Sequence, residues 1–278
     1  MKTENLHAFI GGDMRQVYLI KRFIKEGKDC LSYSLRLPQE LKILSVPSLY
    51  SAIHNAKYIF CPLPFQTIDD NDTHLLLKHI TPEQVLFGGT FPHQVINMMR
   101  ENQIKYFDYM ESEELTHFNA IATAEGILAE AITAYPGNLH GSHCLVTGYG
   151  RCGRVLAHKL AGLGAKVTVC TRRTSTASEA YSMGYKSILY QDLDSFCKDY
   201  ELIFNTVPDK IITDQILRKM DPQCYVFDLA SAPGGVDSDA AARYGIHVSI
   251  HPGLPGLYAP AASADALYDF IEQTINRL

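Results

Sequence analysis

Short apolar runs rich in strand-forming residues alternate with stretches of helical spacing from one end of the chain to the other. His7–Ile10 reads as a strand, and Val17, Ile20, Phe23 and Ile24 behind it share one face of a helix that Gly27 ends. Further strands are expected at Cys30–Ser34, Tyr58–Cys61, Val85–Phe87 and Ile104–Phe107. Helical segments separate most of them, the pattern of a parallel sheet. A long helix is expected from about Ser112 to Ala134, and Pro136-Gly137 ends it and marks a domain boundary. The alternation then restarts, with strands expected at His143–Thr147, Lys166–Cys170, Leu202–Asn205, Tyr225–Asp228 and His247–Ile250. Ala262–Leu278 carries Leu267, Phe270, Ile271, Ile275 and Leu278 at helical spacing. This terminal helix is expected to cross back onto the first domain. The chain therefore reads as α/β, with two doubly wound parallel-sheet domains over residues 1–136 and 137–261.

Length and composition agree with that reading. At roughly 150 residues per domain, 278 residues suggest two domains. A hydrophobic fraction of 46% with 20% charged residues excludes disordered and fibrous classes. With 25 basic against 30 acidic residues there is no electrostatic footprint for nucleic acid or an anionic membrane. Seven cysteines stand without a C-x-x-C pair, so neither a metal site nor a disulfide framework is signalled, and a reduced, intracellular protein is expected. The lead-in Met1–Asn5 runs into a stretch from Leu6 to Ile10 that is too short for a signal-peptide core. The charge-free stretches Ala131–Gly150 and Tyr244–Ala264 are broken by Pro and Gly, so no membrane span is expected.

The strongest chemistry lies in HCLVTGYGRCGRVLAHKLAGLGAKVTVCTRR. Gly148, Gly150 and Gly153 form G-x-G-x-x-G inside a strand–turn–helix–strand frame, the context that gives this pattern meaning. Gly148 permits the tight turn, Gly150 the approach of a pyrophosphate, and Gly153 the close packing of helix on strand. The helix start, with Arg151 and Cys152, offers free N–H groups to phosphates. The second domain is therefore expected to be a Rossmann dinucleotide-binding domain. An acid at the end of the second strand would bind the ribose hydroxyls of NAD, whereas Arg accommodates the 2′-phosphate of NADP. The chain has Thr171-Arg172-Arg173 and no acid, which points to NADP; the alternative is two solvated arginines. Thr206, Val207 and Pro208 and then Asp228 follow later strands and would border the nicotinamide half. Asp228 serves equally well as a buried cap for the next turn. The first domain is expected to be a flavodoxin-like α/β domain serving substrate and partner.

Together IGGDMRQVYLI at the start, GYGRCG with TRR after it, NTVP, DLASAPGGVD and HPGLPGLYAP resemble the family of dipicolinate synthase A subunits over essentially the whole chain. The short C-terminus, ending soon after the last helix, is a departure from it. The resemblance implies NADP-dependent oxidation of a dihydrodipicolinate-type precursor to dipicolinate, in the cytoplasm of the mother cell of a spore-forming bacterium. The partner it implies is a second, flavoprotein-like subunit. Self-association is implied too, and an architecture related to 2-hydroxyacid and alanine dehydrogenases.

A small cyclic dicarboxylate calls for cations or clustered N–H groups. Gly12 and Arg15, after the first strand, are candidates to hold it, although Asp13 also suits a helix cap with Arg15 solvated. Thr90, in Gly88-Gly89-Thr90, and Pro255 with Gly256 are further candidates, in loops expected to line a cleft. His251, which titrates near neutral pH, is the candidate proton acceptor, with Asp13 as a second catalytic candidate. A 2-hydroxyacid dehydrogenase is the runner-up, but the loop after Asp228 lacks the Arg that chemistry wants. A cofactor-binding subunit without chemistry of its own is the third reading.

Overall fold

Residues 6–41, 43–54 and 56–278 are described by the computed structural model, so the Met1–Asn5 lead-in lies outside it. These residues build two six-stranded sheets, each pairing its strands in parallel. The chain divides into one compact unit of Met1–Phe118 with Ala259–Leu278 and another of Asn119–Tyr258.

In the first unit the chain runs β1 (His7–Ile10), α1 (Met14–Lys25), β2 (Cys30–Tyr33), β3 (Leu44–Ser45), α2 (Leu49–Ile53) and β4 (Tyr58–Phe60). It continues with α3 (Asp70–His79), β5 (Val85–Gly88), α4 (His93–Glu101) and β6 (Lys105–Asp108). The sheet order is β3-β2-β1-β4-β5-β6. That is the 3-2-1-4-5-6 order of a Rossmann sheet, so the flavodoxin-like expectation is corrected. The deciding strand, β3, is two exposed residues long and leaves no alternation to read. The central strands are buried on both faces, as a doubly wound sheet requires. Ala8, Ile10, Ile59 and Leu86 face the core shared with α2 and α3. On the other face Phe9, Phe60 and Phe87 stack in a row, with centroids 4.8 and 5.3 Å apart. The terminal helix α12 (Pro260–Ile275) lays Leu267, Tyr268 and Ile271 into that second core and packs on α1. Lys28 and Glu272 pin it from the side at 3.1 Å.

The connecting helix α5 (Glu113–Ala134) serves both units: Leu115 lies in the first core, and Ala124, Ile127, Leu128 and Ala131 lie in the second. For that reason the division falls between Phe118 and Asn119, inside the helix and ahead of Pro136-Gly137. The second unit runs β7 (His143–Thr147), α6 (Arg151–Gly162), β8 (Lys166–Thr171), α7 (Thr174–Ser182), β9 (Lys186–Leu189), α8 (Leu193–Phe196) and β10 (Leu202–Asn205). It ends with α9 (Asp214–Leu217), β11 (Tyr225–Asp228), α10 (Ser238–Tyr244), β12 (His247–Ile250) and α11 (Leu254–Tyr258). Its order, β12-β11-β10-β7-β8-β9, is again that of a Rossmann sheet. The stretch expected as the loop HPGLPGLYAP contains α11, which seats Leu254 and Tyr258 over Gly126 of α5.

Candidate functional site

The glycine fingerprint sits where β7 meets β10, the point at which the strand order of the second sheet reverses and at which such sheets bind ligands. Gly148 adopts φ 88°, and a Cβ there would lie 2.5 Å from Thr206 Oγ1. At Gly153 a Cβ would come within 2.2 Å of the Gly148 carbonyl oxygen, so helix and turn touch through hydrogen alone. At Gly150 nothing lies within 4 Å. Gly150 is also the N-cap of α6, with no side chain over the helix start and no acid in its first turn. These three surroundings fit a pyrophosphate resting on free N–H groups.

A cavity of about 300 Å³ opens beside this turn, lined by Gly150, Thr171, Arg172, Arg173, Tyr190 and Asp209, among others. Both arginines are exposed, and Arg173 is the N-cap of α7. Neither forms an ion pair among the described residues. Thr171 is buried and donates from Oγ1 to the Arg173 carbonyl at 3.1 Å, shaping the turn that carries both guanidinium groups. Val207 lines the same cavity, and Pro208 follows it, exposed. Thr206 donates from Oγ1 to the Thr147 carbonyl at 2.8 Å and supports the glycine turn from below.

Three expected residues have side chains engaged elsewhere. Cys152 turns toward α5, where Thr123 hydrogen-bonds its thiol; burial raises its pKa, offset in part by Arg151 and that bond. Asp228 is buried, and its carboxylate accepts from Asn205 Nδ2 (2.8 Å), Ala230 N (3.1 Å) and Gly235 N (2.9 Å). The capping alternative therefore describes it, and it holds the loop after β11 in shape. His251 packs on Phe227, with its Nε2 2.8 Å from Ser249 Oγ and its Nδ1 3.8 Å from Glu130 Oε1. Tyr258 donates to the same Glu130 oxygen at 2.5 Å. Both ring nitrogens of His251 therefore face partners inside its own unit.

In the first unit the turn after β1 is filled. Asp13 caps α1 by accepting from Arg15 N at 2.9 Å. The Arg15 side chain is 7% exposed; its Nε and Nη2 donate to the Asp13 carboxylate, and Nη2 also donates to the Leu63 carbonyl. The expected roles of Arg15 as carboxylate clamp and Asp13 as second catalytic candidate are corrected accordingly, because each group answers the other. Gly12, at φ 102°, sits over Gln16. Thr90 is exposed at φ 61°, rare for a residue with a side chain. Its amide donates to Asp108, which also accepts from Phe91 N and Met110 N. Pro255 and Gly256 are buried within α11.

Asp209, Tyr190, Asp108 and Glu130 escape a reading of the sequence. Asp209 alone carried a signal, standing directly behind the NTVP turn.

Comparison with known proteins accounts for both units. Residues 7–110 match the family model of the N-terminal domain of the dipicolinate synthase A subunit, and residues 112–242 match the NAD binding domain of D-isomer specific 2-hydroxyacid dehydrogenases. A curated A subunit of dipicolinate synthase from Bacillus subtilis (strain 168) is 29% identical over 281 residues, 96% of this chain and 95% of the relative. The crystal structure of the dipicolinate synthase A subunit from Bacillus halodurans superposes with TM-score 0.85 at 25% identity, covering 99% of this chain and 98% of that one. A transhydrogenase of Sinorhizobium meliloti shares the fold, with TM-score 0.69 at 16% identity over 97% of this chain and 94% of that one. The second unit thus matches a nicotinamide-dinucleotide domain of dehydrogenase type, and over nearly its whole length the chain is similar to A subunits of dipicolinate synthases.

Proposed function

We propose that the chain is the NADP-dependent, substrate-oxidising subunit of a dipicolinate synthase. The observation that carries this reading is the cavity beside Gly150, into which Arg172 and Arg173 project without an acid at the end of β8. The α6 N-terminus would hold the pyrophosphate, the two arginines the 2′-phosphate, and the Thr206–Pro208 turn would border the nicotinamide half. A bound nicotinamide supplies the hydride acceptor.

Oxidation of a dihydrodipicolinate-type ring removes a hydride from one carbon and a proton from its neighbour, with the proton passing to water. Aromatisation drives the step, so no strong enzyme base is required. The engagement of His251 and Asp13 by neighbours agrees with that economy. Gly12 and Thr90, both exposed, remain the proposed substrate contacts, and Pro255 and Gly256, buried within α11, are not among them. The partner is a second, flavoprotein-like subunit, the chain associates with itself, and the setting is the cytoplasm of a sporulating mother cell.

The test is to supply the dihydrodipicolinate-type substrate with NADP or NAD, with and without the second subunit, and to follow absorbance of the reduced cofactor. NADP reduction is expected to exceed NAD reduction strongly. Preferential reduction of NAD would overturn the cofactor assignment. Absence of turnover even with the partner present would leave a binding subunit without chemistry.

A further inference from the structure

We infer that Asp209 sets how strongly the adenosine cavity discriminates NADP from NAD, by holding a carboxylate in the same space as Arg172. The inference rests on the NADP reading and deepens it.

Asp209 follows Pro208 in the loop after β10 and lines the roughly 300 Å³ cavity together with Arg172, Arg173 and Tyr190. It is exposed and makes no ion pair among the described residues, so it shares the cavity with the arginines without pairing with them. Both charges act on the Tyr190 phenol, whose pKa is pushed up to about 12, first by burial; Cys170 and Asp209 add to the rise and Arg172 opposes it. The phenol thus lies within the field of both groups.

A 2′-phosphate entering between them gains the guanidinium groups and meets the carboxylate. A 2′-hydroxyl meets no such repulsion and can donate to the carboxylate. Asp209 therefore weakens NADP while sparing NAD, and acts as a brake on a preference that Arg172 and Arg173 create. Chemically, it supplies from the β10 loop the acid that is missing from the end of β8.

The test is calorimetric titration of the full-length protein with NADP and NAD, for the wild type, Asp209→Asn, Asp209→Ala and Arg172→Ala. Asp209→Asn keeps a hydrogen-bond acceptor and removes the charge. It is expected to tighten NADP about tenfold, equivalent to roughly 1.4 kcal/mol, with NAD changed less than about twofold. Asp209→Ala is expected to tighten NADP similarly and to weaken NAD. The gain should shrink as ionic strength rises toward about 0.5 M, because exposed charges are screened. Unchanged or weaker NADP binding by Asp209→Asn, with Arg172→Ala losing NADP as expected, overturns the Asp209 inference alone. A wild type that prefers NAD, with Arg172→Ala altering neither affinity, brings down the NADP reading and this inference with it.

Discussion

At the carboxyl end of β7 the chain turns through Gly148 into α6 with no side chain over the helix start. At the carboxyl end of β1 it turns through Gly11 and Gly12 into α1, and there Asp13 and Arg15 fill the equivalent space. Both turns lie at the reversal point of a 3-2-1-4-5-6 sheet. In the second unit the helix N-terminus is left to an external anion. In the first, the chain's own Asp13 carboxylate takes that place, Arg15 neutralises it, and the guanidinium clips onto the Leu63 carbonyl of the neighbouring loop. Topology fixes where a ligand can sit; a few side chains at the helix start decide whether the protein has already occupied the place.

The largest effect expected from this contrast is at the open turn. Charged hydrogen bonds contribute roughly 1.5–3 kcal/mol each. Replacing both Arg172 and Arg173 by Ala should therefore weaken NADP binding about a hundredfold or more while NAD binding barely changes. Calorimetry with the two cofactors decides it. A parallel loss of both cofactors would show that the arginines support the turn and not the phosphate.

Next in size is a matched pair of glycine substitutions. Gly150→Ala adds a methyl group where nothing lies within 4 Å, so the melting temperature should hold while both dinucleotides bind about tenfold more weakly. Gly12→Ala places its methyl 2.5 Å from Gln16 Cγ at φ 102°. Strain of this kind costs about 1–3 kcal/mol, so the melting temperature should fall with dinucleotide affinity untouched. Thermal melts and titrations of the two variants should mirror each other. A Gly12 variant that loses cofactor would break the comparison.

How much of this the sequence disclosed depends on how far the deciding contact lies along the chain. Strands with four or five consecutive buried residues, such as β1 and β10, are legible because both faces are covered and the apolar run is unbroken. β3 and β9 are edge strands, two and four residues long, the first exposed and the second only partly buried, and they left no run to find. Without β3 the strand order of the first unit could not be read. The G-x-G-x-x-G turn is legible because its demands are met within six residues. Arg15 is not, because one of its acceptors, the Leu63 carbonyl, lies 48 residues away. Asp228 is ambiguous for a related reason: Asn205 and Gly235, which claim its carboxylate, become neighbours only when the sheet forms.

A smaller effect is expected from Arg15→Met. It removes a largely buried guanidinium and leaves the Leu63 carbonyl without its donor, at a cost of about 1.5–3 kcal/mol. For a unit of this size that corresponds to a fall of roughly 2–4 °C in melting temperature per kcal/mol. Dinucleotide affinity should not move, because the plug belongs to the other sheet. Weaker NADP binding in this variant would mean that the filled turn still serves the cofactor.

The smallest effect concerns the opposite ends of the same two strands. β1 and β7 both begin with histidine: His7 is 2% exposed and stacks on Tyr58 at 5.3 Å, whereas His143 is exposed. Burial lowers the His7 pKa from its ordinary 6.5, against a raising contribution from its hydrogen bond to the Asp29 carbonyl. The native state therefore keeps the ring neutral over a range in which the unfolded chain takes up a proton. Stability from this group is complete above pH 6.5 and declines as pH falls below it toward the lower native value. One such group contributes a slope of at most about 1.4 kcal/mol per pH unit. His7→Phe keeps the aromatic stack and removes the titration, so its denaturant-derived stability should fall less between pH 7.5 and pH 5.5 than that of the wild type. His143→Phe is the control, and an equal flattening there would place the effect outside the buried ring.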